Sequence, residues 1–180
     1  MRNLMLIAAA ALAAAAPGRT QAPADLSIAS GEMVVVRIGD DGGLTLVRRG
    51  PAPPMAPYAR AEMEAMAKVT VPAGTKAPAV GFRSPGARAI PIAPDEVALA
   101  LYDAPARTPH DSLLAIENGY GRGFVYRAVM RRGERSAATD VCLVMPGKRG
   151  FEYWPFQMDR IDLSQLRLVP WKPGDAVPCA

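Results

Sequence analysis

From Ser112 to Phe156 the chain repeats one pattern, in which β-rich runs are separated by turns that carry glycine. Phe124, Tyr126, Ala128 and Met130 share one parity, and Val125, Arg127, Val129 and Arg131 share the other. A strand sends successive side chains to opposite faces, so these become two distinct surfaces. In Ser112 to Asn118, Leu114 and Ile116 fall on one side and Leu113 and Ala115 on the other. Asn118-Gly119, Gly121 and Gly123 accept positive φ, and a short hairpin loop is expected there. Asp140 to Met145 (DVCLVM) is apolar on both parities, the pattern of a central strand covered on both sides. Pro146-Gly147 turns the chain, and Phe151 to Trp154 brings it back. Four strands in meander order are expected, forming one sheet with an apolar face.

Before this stretch, Glu32 to Gly50 reads as a hairpin. Val34, Val36 and Ile38 alternate with Met33, Val35 and Arg37, residues 39–43 (GDDGG) turn, and Leu44 to Val47 returns. Asp40 and Asp41 lack the further oxygen ligands and the closing Glu of a calcium loop. Residues 51–109 hold 11 of the 18 prolines, which favours extended crossing segments over long helices. The run YARAEMEAMAK behind Pro57 is made of good helix formers, and a helix is expected from Pro57 to Ala67, then a short strand. Met63, Ala65, Ala67, Val69 and Val71 also keep a strand period, which is the competing reading. Val97, Leu99 and Leu101 mark a strand over Asp95 to Tyr102. Ile161 and Leu163 have one parity and Leu166 and Leu168 the other, so a bulge or turn is required at Ser164-Gln165.

Met1 to Ala24 has the layout of a secretory leader. Arg2 supplies the charge, Leu4 to Ala16 the apolar run, and Ala22-Pro23-Ala24 a small-residue cleavage site. Thirteen apolar residues are too few to span a bilayer as a helix. Removal of the leader takes away two basic residues, leaving 19 basic against 17 acidic and a net charge of +2. A local excess survives, because residues 122–149 carry seven Arg or Lys against Glu134 and Asp140. Cys142 and Cys179 are an even pair in an exported chain, the setting for one structural disulfide.

Candidates for chemistry are sparse. His110 stands in the run His110-Asp111-Ser112, but the members of a catalytic triad converge from distant positions, and no GxSxG elbow is present. Met63 and Met66, with Met55, could offer thioethers to copper, although methionine at that spacing also fills cores. GYGRG at 119–123 lacks the following helix that a phosphate cradle needs. Phe151, Tyr153, Trp154 and Phe156 form an aromatic group able either to stack on a ligand or to close a core.

The runs LLAIENGYGRGFVYRA, DVCLVMPGKRGFEYWPF and RIDLSQLRLVPWKPGD resemble an uncharacterised family of short exported proteins of high-GC Gram-negative bacteria. The resemblance covers residues 112–179 and implies a periplasmic setting without any assigned ligand. The strand–NG–strand pattern is also similar to immunoglobulin-like β-sandwiches, without the Cys…Trp…Cys arrangement of antibody domains.

The expected fold is therefore all-β, an antiparallel immunoglobulin-like β-sandwich with a short helix and Pro-rich loops. Residues 1–24 form the leader and 25–180 one domain, divided into a hairpin (25–50), crossing segments (51–109), and a meander sheet with a disulfide-tied tail (110–180). The expected role is a periplasmic or secreted, non-catalytic binding or envelope-associated module. Arg127 and Arg131, joined by Arg149 from the next turn, would give weak adhesion to anionic envelope lipid or glycan, or to an envelope protein. No catalytic residue, metal, cofactor or nucleic-acid partner is expected, and no transmembrane segment in the mature chain. The alternative is a periplasmic hydrolase using carboxylates or His110 from loops at one end of the sandwich.

Overall fold

The computed structural model describes residues 25–68, 90–103 and 111–179. Strands β1 (Leu26–Ala29), β9 (Arg160–Val169), β6 (Gly123–Arg132) and β7 (Arg135–Thr139) form a four-stranded sheet in that order. Strands β3 (Leu44–Pro51), β2 (Glu32–Ile38), β4 (Val97–Asp103), β5 (Ser112–Asn118) and β8 (Arg149–Trp154) form a five-stranded sheet. Every pairing is antiparallel. The protein is an all-β, two-sheet sandwich with, among the described residues, one short helix, α1 (Pro57–Lys68).

The two sheets bury one core between them. Ile28, Phe124, Tyr126, Ala128, Ile161 and Leu163 of the four-stranded sheet meet Val34, Val36, Leu99, Leu101, Leu114 and Ile116 of the five-stranded sheet. Each large side chain fully removed from water there contributes about 2 kcal/mol. Strands β2, β4 and β5 are apolar on their other parity as well, because α1 covers that face. Ala59 and Met63 of the helix pack on Met33, Val35, Ala98, Ala100 and Leu113. This explains why the period of residues 57–68 admitted two readings: Met63 and Ala67 belong to a helical stripe, four residues apart. The strand expected after the helix lies outside the described residues, as do the leader and His110.

The 32–50 hairpin is present with the expected turn, where Gly39 N donates to Gly43 O at 2.8 Å and Gly43 N to Asp41 Oδ1 at 2.8 Å. The bulge is also where parity required it. Gln165 sits at φ 53°, and the β6–β9 register shifts between Val125 and Arg127.

The meander is not formed. β5 has β4 on one side and β8 on the other, while β6 lies in the opposite sheet between β9 and β7. The Asn118–Gly123 loop is thus a crossover between sheets. Asn118, fully buried, donates through Nδ2 to Arg122 O, Val144 O and Met145 O, and Tyr120 OH joins Ile38 N at 2.8 Å. Gly119 passes so close to Ala93 O and Glu96 O that a Cβ there would stand 2.4 and 2.7 Å from them. The same glycines that suit a hairpin suit this tight passage, so local pattern could not separate the two.

Asp140–Met145 is likewise no regular strand. Val141, Leu143 and Val144 are buried because the segment closes one flank of the sandwich, bridging Val144 to Phe124 of β6. Cys142 pairs with Cys179 in a disulfide, and Leu143 N donates to Pro178 O at 2.9 Å, which ties the tail to that flank. Among the described residues, no helix is long and apolar enough to cross a membrane.

Candidate functional site

The outward face of the four-stranded sheet carries a row of arginines. On β6, Phe124, Tyr126 and Ala128 turn inward and Met130 packs against the same core, so Arg127 and Arg131 turn outward. Paired residues share a face, and the register sets Arg131 opposite Arg160, Val129 opposite Asp162, Arg127 opposite Ser164 and Val125 opposite Arg167. Four guanidinium groups therefore stand on one face, with the carboxylate of Asp162 among them and that of Asp25 beside the bulge. From the Arg131–Arg160 level to the Val125–Arg167 level is six residues, or about 20 Å along the strand. The flanking strands place small side chains here, Ser27 on β1 and Ser136 and Ala138 on β7; Arg127, Arg160 and Arg167 are exposed and Arg131 is partly covered.

Three of these side chains are held from below. Arg131 donates through Nε to Asp162 Oδ2 at 2.6 Å, and Arg160 Nε lies 3.4 Å from Asp162 Oδ1. Ser27 Oγ donates to the same Oδ1 at 2.7 Å. Burial alone would raise the Asp162 carboxyl, but the Ser27 hydroxyl, Arg131 and Arg160 together hold it below its ordinary value. Arg127 donates through Nε to Gln165 Oε1 at 3.0 Å, and Gln165 N is fixed by Asp25 Oδ2 at 2.7 Å. The bulge re-aims Gln165 so that its amide reaches across to Arg127, a common use of a bulge. Arg167 is exposed.

Arg149 does not join this face. It lies on β8 of the other sheet, where its Nε meets Glu117 Oε1 at 3.2 Å and its guanidinium stacks 4.0 Å over the Tyr58 ring. Tyr58 OH donates to the same Glu117 oxygen at 2.8 Å. The ion pair is nearly buried, with side-chain exposures of 11 and 6 %, and it fastens α1 to the sheet. Arg160, Arg167 and Gln165 take its place at the arginine face. Their signal was in the sequence: Arg160, Asp162 and Ser164 alternate with Ile161 and Leu163, and Arg167 alternates with Leu166 and Leu168 beyond the bulge.

His110 lies outside the described residues, and the other candidates among the described residues make contacts within the fold. Asp111 accepts from Tyr153 OH at 3.0 Å, and Ser112 Oγ accepts from Met158 N at 3.0 Å, both residues being buried. Met63 is fully buried, and Met55 and Met66 pack against the same cluster beneath α1. Trp154 is in the core with its indole donating to Thr139 Oγ1 at 3.1 Å, and Phe151 meets Tyr58 edge-on. Among the described residues, no group of three His, Cys, Asp or Glu is placed to share a metal ion. A shallow cleft of about 400 Å³ lies between β3 and residues 91–96, where its acid, Glu96, is already paired with Arg37 at 3.0 Å. Comparison with protein-family models, with curated proteins and with solved structures finds no match to this chain.

Proposed function

We propose that this protein is an exported, non-catalytic module that adheres through the outer face of its four-stranded sheet to a membrane surface bearing phosphorylated lipid. The carrying observation is the row of Arg131, Arg160, Arg127 and Arg167, which spans that face with Asp162 as its intervening carboxylate. A row about 20 Å long matches an extended anionic surface better than a small metabolite. Arginine suits phosphate because its planar fork presents paired N–H donors. The leader-like residues 1–24 and the Cys142–Cys179 disulfide support an oxidising, extracytoplasmic setting.

Attraction of this kind is largely screened beyond about 8 Å at physiological ionic strength, so binding should weaken steeply with salt. The test is co-sedimentation with anionic vesicles across a salt series, comparing wild type with Arg127→Ala/Arg167→Ala. Neither residue touches Asp162, so the variant should fold normally. The expected result is salt-sensitive binding by wild type and clearly weaker binding by the variant. Equal binding by both at low salt would overturn the reading. Binding to acidic polysaccharide but to no vesicle would move the partner from lipid to glycan.

A further inference from the structure

Arg131 and Arg160 stand directly opposite each other on adjacent strands, about 5 Å apart at Cβ, an arrangement that like charges disfavour. Among the described residues, one carboxylate forms ion pairs with the two. Asp162, with 9 % side-chain exposure, sits beneath them and engages each arginine on its Nε edge. Among the described residues, the Nη atoms of both arginines make no hydrogen bond to the protein, and the pair keeps a surplus positive charge. The two forks are thus held at the root and open at the tip.

We infer that Arg131 and Arg160, positioned by Asp162 and Ser27, form a clamp for a terminal phosphomonoester presented by a lipid headgroup. This rests on the reading that the arginine face meets a membrane. A phosphomonoester carries between one and two negative charges near neutral pH and offers three terminal oxygens. A phosphodiester carries one charge and offers two. Two guanidinium forks converging from neighbouring strands can share the three oxygens of the monoester, whereas the diester satisfies only one fork fully. Asp162 acts as a positioning residue: it fixes where the forks point and does not touch the ligand.

The experiment compares phosphatidylcholine vesicles carrying phosphatidic acid with vesicles carrying phosphatidylglycerol at matched surface potential. Wild type is expected to prefer phosphatidic acid by about tenfold, the worth of one additional charge-assisted hydrogen bond. Arg160→Lys keeps the charge and removes the fork. It is expected to bind both vesicles equally, at the wild-type level for phosphatidylglycerol, with an unchanged melting temperature because Arg160 is exposed. Equal binding of both vesicles by wild type, or a retained preference in Arg160→Lys, would overturn the clamp and leave the face reading standing. Absence of wild-type binding to either vesicle would overturn the membrane reading on which the clamp rests. Titration with inorganic phosphate alone is expected to show no binding tighter than about a millimolar. Tighter binding would assign the clamp to free phosphate and overturn the lipid source.

Discussion

The Arg149 guanidinium lies 3.2 Å from Glu117 and 4.0 Å above the ring of Tyr58, closing a nearly dry joint between β8, β5 and α1. An arginine so placed is part of the scaffold. Removing one partner of a buried pair leaves the other charge uncompensated. Arg149→Ala is therefore expected to cost about 3 kcal/mol, read as a lower urea midpoint, while vesicle binding changes less than twofold or so. A large loss of vesicle binding with unchanged stability would return Arg149 to the binding face.

Asp162 makes a different kind of joint, its own carboxylate buried but its two cationic partners, Arg131 and Arg160, open to solvent. Asp162→Asn is expected to destabilise by about 1–3 kcal/mol, since Arg131 and Arg160 then face each other without compensation. The folded carboxyl has its pKa depressed, so its contribution is present above the ordinary Asp value near 3.8 and is lost as pH falls through the folded value. Denaturation of wild type and variant between pH 6 and the acid limit should therefore converge only below about pH 4. A constant gap down to pH 2 would contradict this linkage.

Glu152 should show the reverse pH dependence. It is half-buried on the inner face of β8, where burial raises its carboxyl, the bond from Cys142 N opposes this, and Asp140 adds to the rise, leaving it at about 7. Tyr126, fully buried nearby, also feels its charge. An acid whose folded pKa is raised favours the fold when protonated, so stability should fall as pH rises from about 4.5 through about 7. The expected decrease is about 2 kcal/mol, discounted for partial exposure. Glu152→Gln should flatten the profile in that window. An unchanged slope in the variant would assign the titration to another group.

The bridge between Cys142 and Cys179 spans 37 residues. In the chain-entropy model such a loop stabilises by about 4 kcal/mol, an upper figure where the unfolded chain keeps structure. Protein isolated under oxidising conditions should show no alkylatable thiol by intact mass. Cys179→Ser should lower the denaturation midpoint with little loss of secondary structure, because the tail it ties down is mostly exposed. Two free thiols in the isolated protein would contradict the pairing.

Much of the local structure was legible in the residues. Period-two alternation is a property of the extended backbone itself, so the inward set on β6 and the outward Arg127 and Arg131 followed from order alone. The parity break between Leu163 and Leu166 could be resolved only by an extra residue, and Gln165 supplies it in a left-handed conformation. The helix behind Pro57 and the single disulfide were equally readable, the first from helix propensity and the second from an even cysteine count.

Strand pairing was settled only in three dimensions. Asn118-Gly119 permits a sharp change of direction, but nothing in those residues says whether the chain returns within its sheet or crosses to the other. That choice was made far away, by β4 and β8 occupying both edges of β5. The same choice buried Arg149 against Glu117 and brought Arg160 and Arg167 beside Arg127 and Arg131. Alternation assigns a residue to a face because it depends on the residue's own backbone. Which faces and edges meet depends on contacts between segments distant in sequence, and for this chain those contacts decided which arginines stand together.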